Sequence, residues 1–259
     1  MNPRLKGILL LLPLISVFFL GDVVFTAFAI ILGMIAYYEL QKAFAHKNIR
    51  LSVLPGILTP VSLIILSILP LNATTSLLLL VLSIFIIGSV IIHKDTSVTK
   101  ILINFGCIAY AFIPFWLLAK LEIATAFSGR PFSILIFLLA FSTDMSAMIA
   151  GKFFGKHKLT KISPNKTIEG SIGGIVGATI LCTIYGFIVD FPISFIVPVS
   201  IVGSIISQCG DLFASAIKRY CGIKDFSNLI PGHGGVLDRF DSVNFVAVFI
   251  TIVTLFPIH

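Results

Sequence analysis

Long apolar runs recur along almost the whole of this sequence, and they constrain its fold more than any other feature. Nine such runs alternate with short polar segments, at residues 8–20, 23–38, 53–69, 77–92, 101–119, 132–150, 171–189, 193–209 and 243–256. Only 11% of the residues are charged, against about 25% in a typical soluble domain. Because an aqueous-facing globule cannot hide this much apolar surface, the sequence predicts an all-α polytopic integral membrane protein with about nine transmembrane helices.

The first apolar run, residues 8–20, is the weakest candidate span, because Pro13 interrupts it and Gly21 follows at once. It could pair with the next run as a re-entrant hairpin. Arg4 and Lys6 precede it as in a secretory signal peptide, but no small-residue cleavage site is evident. We therefore expect this run to be retained as membrane structure.

The basic residues predict the orientation of the chain. With a cytoplasmic N-terminus and nine crossings, 16 of the 18 Lys and Arg residues fall on the cytoplasmic side, and only Lys120 and Arg130 fall outside. Cytoplasmic loops of membrane proteins carry such an excess of basic residues. The polar segments 151–170 and 210–241 are then both cytoplasmic loops.

These features divide the chain into an N-terminal transmembrane region, residues 1–130, and a C-terminal transmembrane catalytic region, residues 131–259, which carries both loops. The net charge of +7 does not require a nucleic acid partner. Cytoplasmic loops that face acidic lipid headgroups account for a positive balance of this kind. We expect the lipid bilayer, and no nucleic acid, to be the partner of these basic residues.

The stretch at residues 215–241 gathers charges and glycines in an otherwise apolar chain. Its members are Asp225, Asp238 and Asp241; Lys218, Arg219, Lys224 and Arg239; His233; and Gly222, Gly232, Gly234 and Gly235, with Asp211 just upstream. Carboxylates can hold a divalent cation, cations can hold phosphates, and glycines let backbone N–H groups approach a phosphate closely. The combination predicts phosphoryl or nucleotidyl chemistry at a membrane surface.

Asp238 and Asp241 are three residues apart, so a helix after Gly235 would place both carboxylates on one face, close enough to share metal ions. Arg239 would point elsewhere and clamp a phosphate. The alternative is that the two acids only complement the dipole at a helix N-terminus. His233 has no second His or Cys at a spacing typical of zinc sites, so a magnesium-type oxygen site is the better prediction.

The basic loop at residues 151–170 has five lysines and one histidine against Glu169 alone. One interpretation is a topogenic loop that contacts acidic lipids. The other is a phosphate-binding loop, in which residues 163–165 form a turn before Lys166 and Thr167. Thr167–Gly170 would then begin a helix whose N–H groups favour an anion.

Two further carboxylates lie at the membrane. Asp144 stands inside the apolar run 132–150, near its cytoplasmic end, and Asp211 follows the run 193–209 directly. An intramembrane carboxylate is unfavourable by a few kcal/mol, about 2.5–3.5 at a helix centre, unless it faces a partner or a polar cavity. Asp144 either caps locally with Ser142 and Thr143 or faces the active-site cavity, and Asp211 can face a lipid headgroup and a metal ion together.

Taken together, residues 215–241 resemble the signature of phosphatidate cytidylyltransferases, also called CDP-diacylglycerol synthases. The matching positions are Ser215, Lys218, Arg219, Lys224, Asp225, Ser227, Pro231, His233, Gly234, Gly235, Asp238, Arg239 and Asp241. The resemblance extends upstream through residues 207–212 and 162–170, so it covers roughly the C-terminal half of the chain. One departure follows Asp144, where Met145 and Met148 stand in a segment in which the family commonly has small residues and an aromatic.

The resemblance implies that CTP and phosphatidic acid react to give CDP-diacylglycerol and pyrophosphate, with the active site facing the cytoplasm of a bacterial inner (plasma) membrane. It implies that Mg²⁺ is held by Asp211, Asp238 and Asp241, with Lys218 and Arg219 as further catalytic residues. The implied substrate-binding residues are Ser163, Asn165, Lys166, Thr167, Glu169, Lys224, Asp225, His233, Gly234, Gly235, Arg239 and Asp144. A second, monovalent cation and a homodimer stay open.

Two other function classes use comparable features. A CTP-dependent lipid kinase would need a similar membrane scaffold but would transfer the γ-phosphoryl group and release CDP. An ion-coupled transporter would use intramembrane acids such as Asp144. The clustering of charges at one face, without an evident inverted repeat, argues against a transporter.

Overall fold

The computed structural model describes residues 22–68, 73–91, 97–123, 129–229 and 234–255. Within these ranges the chain forms eight helices, and an isolated β bridge joins Lys158 and Thr167. The helices are α1 (Asp22–Ala45), α2 (Leu54–Ile68), α3 (Ala73–Ile91), α4 (Val98–Ile123), α5 (Gly129–Phe154), α6 (Ile168–Ile188), α7 (Ile193–Cys221) and α8 (Leu237–Val253). Each coincides with one of the predicted apolar runs, and the run at residues 8–20 lies outside the described residues.

Five of the described helices are long and apolar enough to cross a membrane. The corresponding segments are Val24–Ala45, Val98–Leu121, Pro131–Phe154, Ile168–Ile188 and Ile193–Cys221. α2 and α3 contain the shorter apolar segments Leu54–Leu66 and Thr74–Gly88. The prediction of an α-helical membrane protein is therefore confirmed.

Both predicted loops are shorter than expected because the helices beside them continue. α5 ends at Phe154 and α6 begins at Ile168, so the first loop spans residues 155–167. α7 continues to Cys221, so the expectation of a loop from residue 210 is wrong at its beginning. After Gly210, no glycine or proline occurs before Gly222, whose φ of +74° is the left-handed conformation that ends many helices.

The chain divides into two compact units. The first consists of Met1–Lys120 with Cys221–Asp238, and the second of Leu121–Tyr220 with Arg239–His259. The predicted division after residue 130 concerns membrane regions rather than these units, and it stays a prediction.

In the first unit, Tyr37 organises the packing of α1. Its ring is buried 5.7 Å from that of Phe112 on α4, and its hydroxyl donates to the Ser52 carbonyl oxygen at 2.6 Å. The Ser52 N–H donates to Asn104 Oδ1 on α4 at 3.0 Å. A Cβ on Gly56 would lie 2.8 Å from the Tyr37 ring, so only glycine lets α2 come this close. These contacts tie α1, α4 and the α1–α2 connection together.

In the second unit, α6 packs on α5 through a stripe of small residues. Its buried positions recur every fourth residue, at Gly170, Gly174, Ala178, Cys182 and Gly186. A Cβ on Gly174 would lie 3.0 Å from Ala147 Cβ and 3.1 Å from the Thr143 carbonyl oxygen of α5. Small residues at this spacing let helix backbones approach closely in a membrane, where dispersion replaces the hydrophobic effect as the driving force.

α7 joins the membrane interior to the charged end of the second unit. Its 29 residues correspond to about 43 Å at 1.5 Å per residue, against roughly 30 Å for the hydrocarbon core of a bilayer. Inside the unit, its Ser204 Oγ lies 3.0 Å from Thr143 Oγ1 of α5, and both residues are fully buried. The helix therefore has length to spare, and its C-terminal turns carry Asp211, Lys218 and Arg219.

Candidate active site

A lysine and a carboxylate meet where the first loop reaches α7. Lys166 Nζ forms an ion pair with Asp211 Oδ2, and the two side chains are 25% and 26% exposed. Ser215, one turn further along α7, has its Oγ 3.5 Å from Asp211 Oδ1. The basic loop and the carboxylate that the sequence predicts to act together therefore touch within one unit.

A second carboxylate comes from the beginning of α8. Asp241 is 8% exposed, and its Oδ1 accepts the Ser242 N–H at 2.8 Å. The Ser242 hydroxyl donates to Asp144 Oδ2 on α5 at 3.1 Å. A Cβ on Gly210 would lie 2.6 Å from the Asp241 carbonyl oxygen, so this glycine lets α7 and α8 come together. α5, α7 and α8 thus each bring one aspartate to the same end of the unit.

The charges of these aspartates act on one another. Asp241 precedes the apolar run that begins at residue 243. The pKa of its carboxyl is raised to about 7, mainly by burial and secondly by the negative charge of Asp211. The Ser242 N–H and the Lys218 cation oppose this increase, and Asp144 adds to it. Burial is thus the main cause of the raised pKa, and a cation bound beside Asp241 would favour its ionised form.

The carboxylate oxygens of this site suit Mg²⁺, provided that substrate phosphates complete the set of metal ligands. The described part of the chain contains no group of three or more His, Cys, Asp or Glu side chains placed to hold a metal by themselves. Mg²⁺ commonly takes one or two carboxylates together with substrate phosphates, rather than a cage made only of protein. Asp211 and Asp241 supply the oxygen ligands that such a site requires.

Backbone hydrogen bonds set the shape of the basic loop. The Lys166 N–H donates to the Ser163 carbonyl oxygen at 3.1 Å, which closes the predicted turn at residues 163–166. Thr167 caps α6 by accepting the Gly170 N–H at 3.1 Å, so the predicted helix start is confirmed. This geometry presents Lys166 to α7, while Asn165 stays exposed.

Glu169 braces the same loop from the first turn of α6. Its Oε2 accepts the N–H groups of Lys156 and His157 at 3.0 and 3.2 Å, and its Oε1 lies 2.6 Å from His157 Nδ1. On the other side of the loop, Arg219 Nε donates to the Ile162 carbonyl oxygen at 3.4 Å. Glu169 is thus engaged by the loop itself, and the role in substrate binding that the resemblance implies for it stays a prediction.

The glycine-containing segment before α8 belongs to the first unit, and Asp238 shapes it. Asp238 Oδ2 accepts the N–H groups of Phe226 and Gly235 at 2.8 and 2.9 Å. Gly234 has a φ of +84°, and a Cβ there would lie 2.9 Å from Asp238 Oδ2. One carboxylate oxygen of Asp238 therefore serves the backbone, and a metal-binding role for this residue stays a prediction.

The other predicted site residues of this region are either exposed or lie outside the described part of the chain. Lys224 and Asp225 are exposed in the bend after α7, and Arg239 is exposed on the first turn of α8, in the second unit. His233 lies outside the described residues. The N–H of Gly235, which the sequence predicts to approach the nucleotide, donates to Asp238 instead.

Glu39 on α1 is the residue that the sequence analysis missed. It is 2% exposed, and its carboxylate accepts hydrogen bonds from Ser227, Val236 and Leu237. The sequence does contain a feature that singles out Glu39: it is the only acidic residue between positions 23 and 94, and it directly follows an apolar run. A carboxylate in such a place needs a polar partner.

Comparison with known proteins shows the family to which the chain belongs. The model of the Cytidylyltransferase family matches residues 4–256. The phosphatidate cytidylyltransferase of Staphylococcus haemolyticus (strain JCSC1435) is 36% identical over 261 residues, which cover 97% of each chain. Those of Staphylococcus aureus (strain COL) and Staphylococcus epidermidis are 34% identical over the same share of each chain. The resemblance predicted from the C-terminal half thus extends over nearly the whole sequence, and the chain belongs to the cytidylyltransferase family.

Proposed function

We propose that this protein transfers the cytidylyl (CMP) group of CTP to phosphatidic acid, giving CDP-diacylglycerol and pyrophosphate for phospholipid synthesis. Its similarity to phosphatidate cytidylyltransferases along 97% of the chain supports the reaction. The structural observation that carries the proposal is the meeting of Lys166 with Asp211, beside the buried Asp241. Cations and carboxylates at one point suit a reaction between two phosphate-bearing substrates.

The chemistry asks for charge neutralisation and alignment. A phosphate oxygen of the lipid attacks the α-phosphorus of CTP, the bond to the β-phosphate oxygen breaks, and pyrophosphate leaves. Because the attacking oxygen is already ionised at neutral pH, no general base is required. The protein contributes mainly by holding two anions in line and by stabilising the charge that develops on the leaving group.

The residues divide this work by their charge. Lys166, Lys218 and Arg219 bind phosphate oxygens at the end of the second unit, where Lys166 and Arg219 contact Asp211 and the loop backbone. Asp211 and Asp241 would hold Mg²⁺, with Asp144 close to them through Ser242. When bound, the metal would polarise phosphate oxygens and neutralise the leaving pyrophosphate. The roles of Lys224, Asp225 and Arg239 toward the substrates follow from the resemblance.

The orientation of the chain completes the proposal. Nine spans with a cytoplasmic N-terminus would place both charged segments on the cytoplasmic face of a bacterial inner membrane, where CTP is available. The support is the asymmetry of the 18 Lys and Arg residues. Phosphatidic acid would then enter laterally from the cytoplasmic leaflet, and its acyl chains would remain in the bilayer.

The position of the transferred label tests the reaction. Purified protein in lipid nanodiscs is given phosphatidic acid, magnesium, and CTP labelled at either the α- or the γ-phosphate. A cytidylyltransferase puts the α label into the lipid and the γ label into pyrophosphate. A CTP-dependent lipid kinase puts the γ label into the lipid and the α label into CDP, and a transporter labels neither lipid nor pyrophosphate. Lipid that carries only the γ label, or no label, would contradict the proposal.

A further inference from the structure

We propose that Glu39 is a positioning residue of the transfer reaction, acting as a buried carboxylate clamp on the segment that leads into α8. The clamp consists of Glu39 with its three donors, Ser227, Val236 and Leu237. The inference rests on the proposed function, because the clamped segment follows Lys224 and Asp225 and contains Gly234, Gly235 and Asp238. Neither the resemblance nor the family match assigns a role to Glu39.

The contacts of Glu39 are specific in distance and direction. Its Oε1 accepts the Ser227 hydroxyl at 2.5 Å and the Val236 N–H at 2.9 Å, and its Oε2 accepts the Leu237 N–H at 2.9 Å. The donors lie 188 to 198 positions away in the sequence. The clamp therefore fastens the beginning of α8 to α1 within the first unit.

The close fit of the backbone supports the same conclusion. Gly235 is buried, and a Cβ at this position would lie 2.4 Å from Glu39 Oε1. Its N–H donates to Asp238 Oδ2 at 2.9 Å, and the Phe226 N–H donates to the same oxygen at 2.8 Å. The two described parts of this segment, residues 226–229 and 234–238, are thus each held by Glu39 of α1 and by Asp238 of α8 itself.

The electrostatics of a helix start suit acceptors such as the side-chain oxygens of Glu39 and Asp238. The first N–H groups of a helix have no acceptor within the helix, and they carry a partial positive charge. Glu39 and Asp238 satisfy the N–H groups of Gly235, Val236 and Leu237, so these groups are already engaged and do not serve a phosphate. We infer that residues 234–238, which lead into α8, are fixed in shape by protein contacts before any substrate binds.

Glu39→Gln is the discriminating substitution because it keeps the size of the side chain. The glutamine oxygen can still accept the bonds made to Oε1, but its amide nitrogen would face the Leu237 N–H, donor against donor. Gln41→Ala is the matched control on the same helix. Gln41 Nε2 donates to the Ser52 carbonyl oxygen at 3.1 Å, so its hydrogen bond goes to the connection between α1 and α2.

The experiment uses the full-length protein in nanodiscs and measures kcat, KM for CTP, thermal stability and amide hydrogen exchange. For Glu39→Gln we expect kcat to fall about 10-fold or more through misplacement of the segment, with KM for CTP changed less than about 3-fold. Exchange at Val236 and Leu237 should become at least about 10-fold faster, while α5 and α6 exchange as in wild type. Gln41→Ala should match wild type in kcat and in exchange at Val236 and Leu237.

Ser227 provides a second, milder test in case Glu39→Gln does not fold. Ser227→Ala removes one donor of the clamp and should reduce kcat measurably, whereas Ser227→Thr keeps the hydroxyl and should restore it. Unchanged kcat in a folded Glu39→Gln protein, or equal kcat for the Ala and Thr variants at position 227, would overturn the positioning role. So would a loss of kcat without faster exchange at Val236 and Leu237.

The same measurements separate this inference from the proposed function. Wild-type protein that makes no CDP-diacylglycerol would contradict the proposed function and, with it, the positioning role. The exchange rates would still show whether Glu39 clamps the segment. A wild-type enzyme that is active beside a fully active Glu39→Gln variant would overturn the positioning role alone.

Discussion

Lys166 and Asp211 form an ion pair between the basic loop and α7, and each side chain keeps about a quarter of its surface exposed, 25% and 26%. A partly exposed pair of this kind contributes only about 0–1 kcal/mol to stability. In the proposed reaction, Lys166 would therefore exchange the carboxylate for a substrate phosphate at little energetic cost. The ion pair is the point at which the proposed phosphate-binding cation and the proposed metal-binding carboxylate meet.

Removing charge at Asp211 or Asp241 should disable the enzyme. Asp211→Asn and Asp241→Asn keep size but weaken metal binding, so we expect turnover to fall about 100-fold or more. Binding of Mn²⁺ in place of Mg²⁺, followed by electron paramagnetic resonance, should weaken in parallel. Asp190→Asn is the control, since Asp190 is exposed with a φ of +58° that asparagine tolerates. Near-normal activity of either site variant at ordinary magnesium concentrations would refute the metal assignment.

The topology can be tested by labelling single cysteines. Cys209 is exposed and the other three cysteines are buried, so a Cys209→Ser protein is a suitable background. Cysteines at Asn165 and Asn228 should react with a membrane-impermeant thiol reagent only from the cytoplasmic side, and a cysteine at Thr74 only from outside. Labelling of Asn165 and Asn228 positions from opposite sides would be incompatible with the charge-derived orientation.

A glycine beside the small-residue stripe of α6, Gly177, predicts a position-dependent effect on stability. A Cβ on Gly177 would lie 2.2 Å from Ser146 Oγ and 2.5 Å from Ser146 Cβ, so Gly177→Ala must push α6 away from α5. We expect a loss of about 1–3 kcal/mol in the free energy of unfolding in mixed micelles. A Cβ on Gly106 of α4 would meet nothing within 4 Å, and Gly106→Ala should be neutral or stabilise by up to about 1 kcal/mol. Equal effects of the two substitutions would argue against close packing of α5 on α6.

Hydropathy predicts where the helices lie because apolar runs and their polar flanks are local features. Every apolar run from residue 23 onward coincides with a helix of the described chain. Hydropathy does not predict where a helix ends, because polar residues such as Asp211 and Lys218 are compatible with helix outside the bilayer. The end of α7 depends on the backbone of Gly222, whose positive φ a hydropathy profile cannot show.

The charges of the site are readable from the sequence, but their pairing is not. The excess of lysines at residues 151–170 and the clustered carboxylates at residues 211–241 indicate that the two segments complement each other. That Lys166 reaches Asp211, while Glu169 turns back to Lys156 and His157, depends on the shape of the loop. Glu39 was missed because its three partners lie 188 or more positions away, beyond any local pattern.

Two matched lysine substitutions test most directly whether the basic loop, Asp211 and Asp241 build one reaction site. Lys166→Ala removes a contact that strengthens in the transition state, so turnover should fall by the equivalent of about 2–4 kcal/mol. Lys42→Ala removes a basic residue of α1 whose Nζ lies 4.6 Å from the centre of the Tyr38 ring. Lys42 is far in sequence from Asp211 and Asp241. Its turnover, measured with the α-labelled CTP assay, should stay within about 2-fold of wild type. A large loss for Lys166→Ala alone is the predicted result, and equally small effects of both substitutions would contradict the shared site.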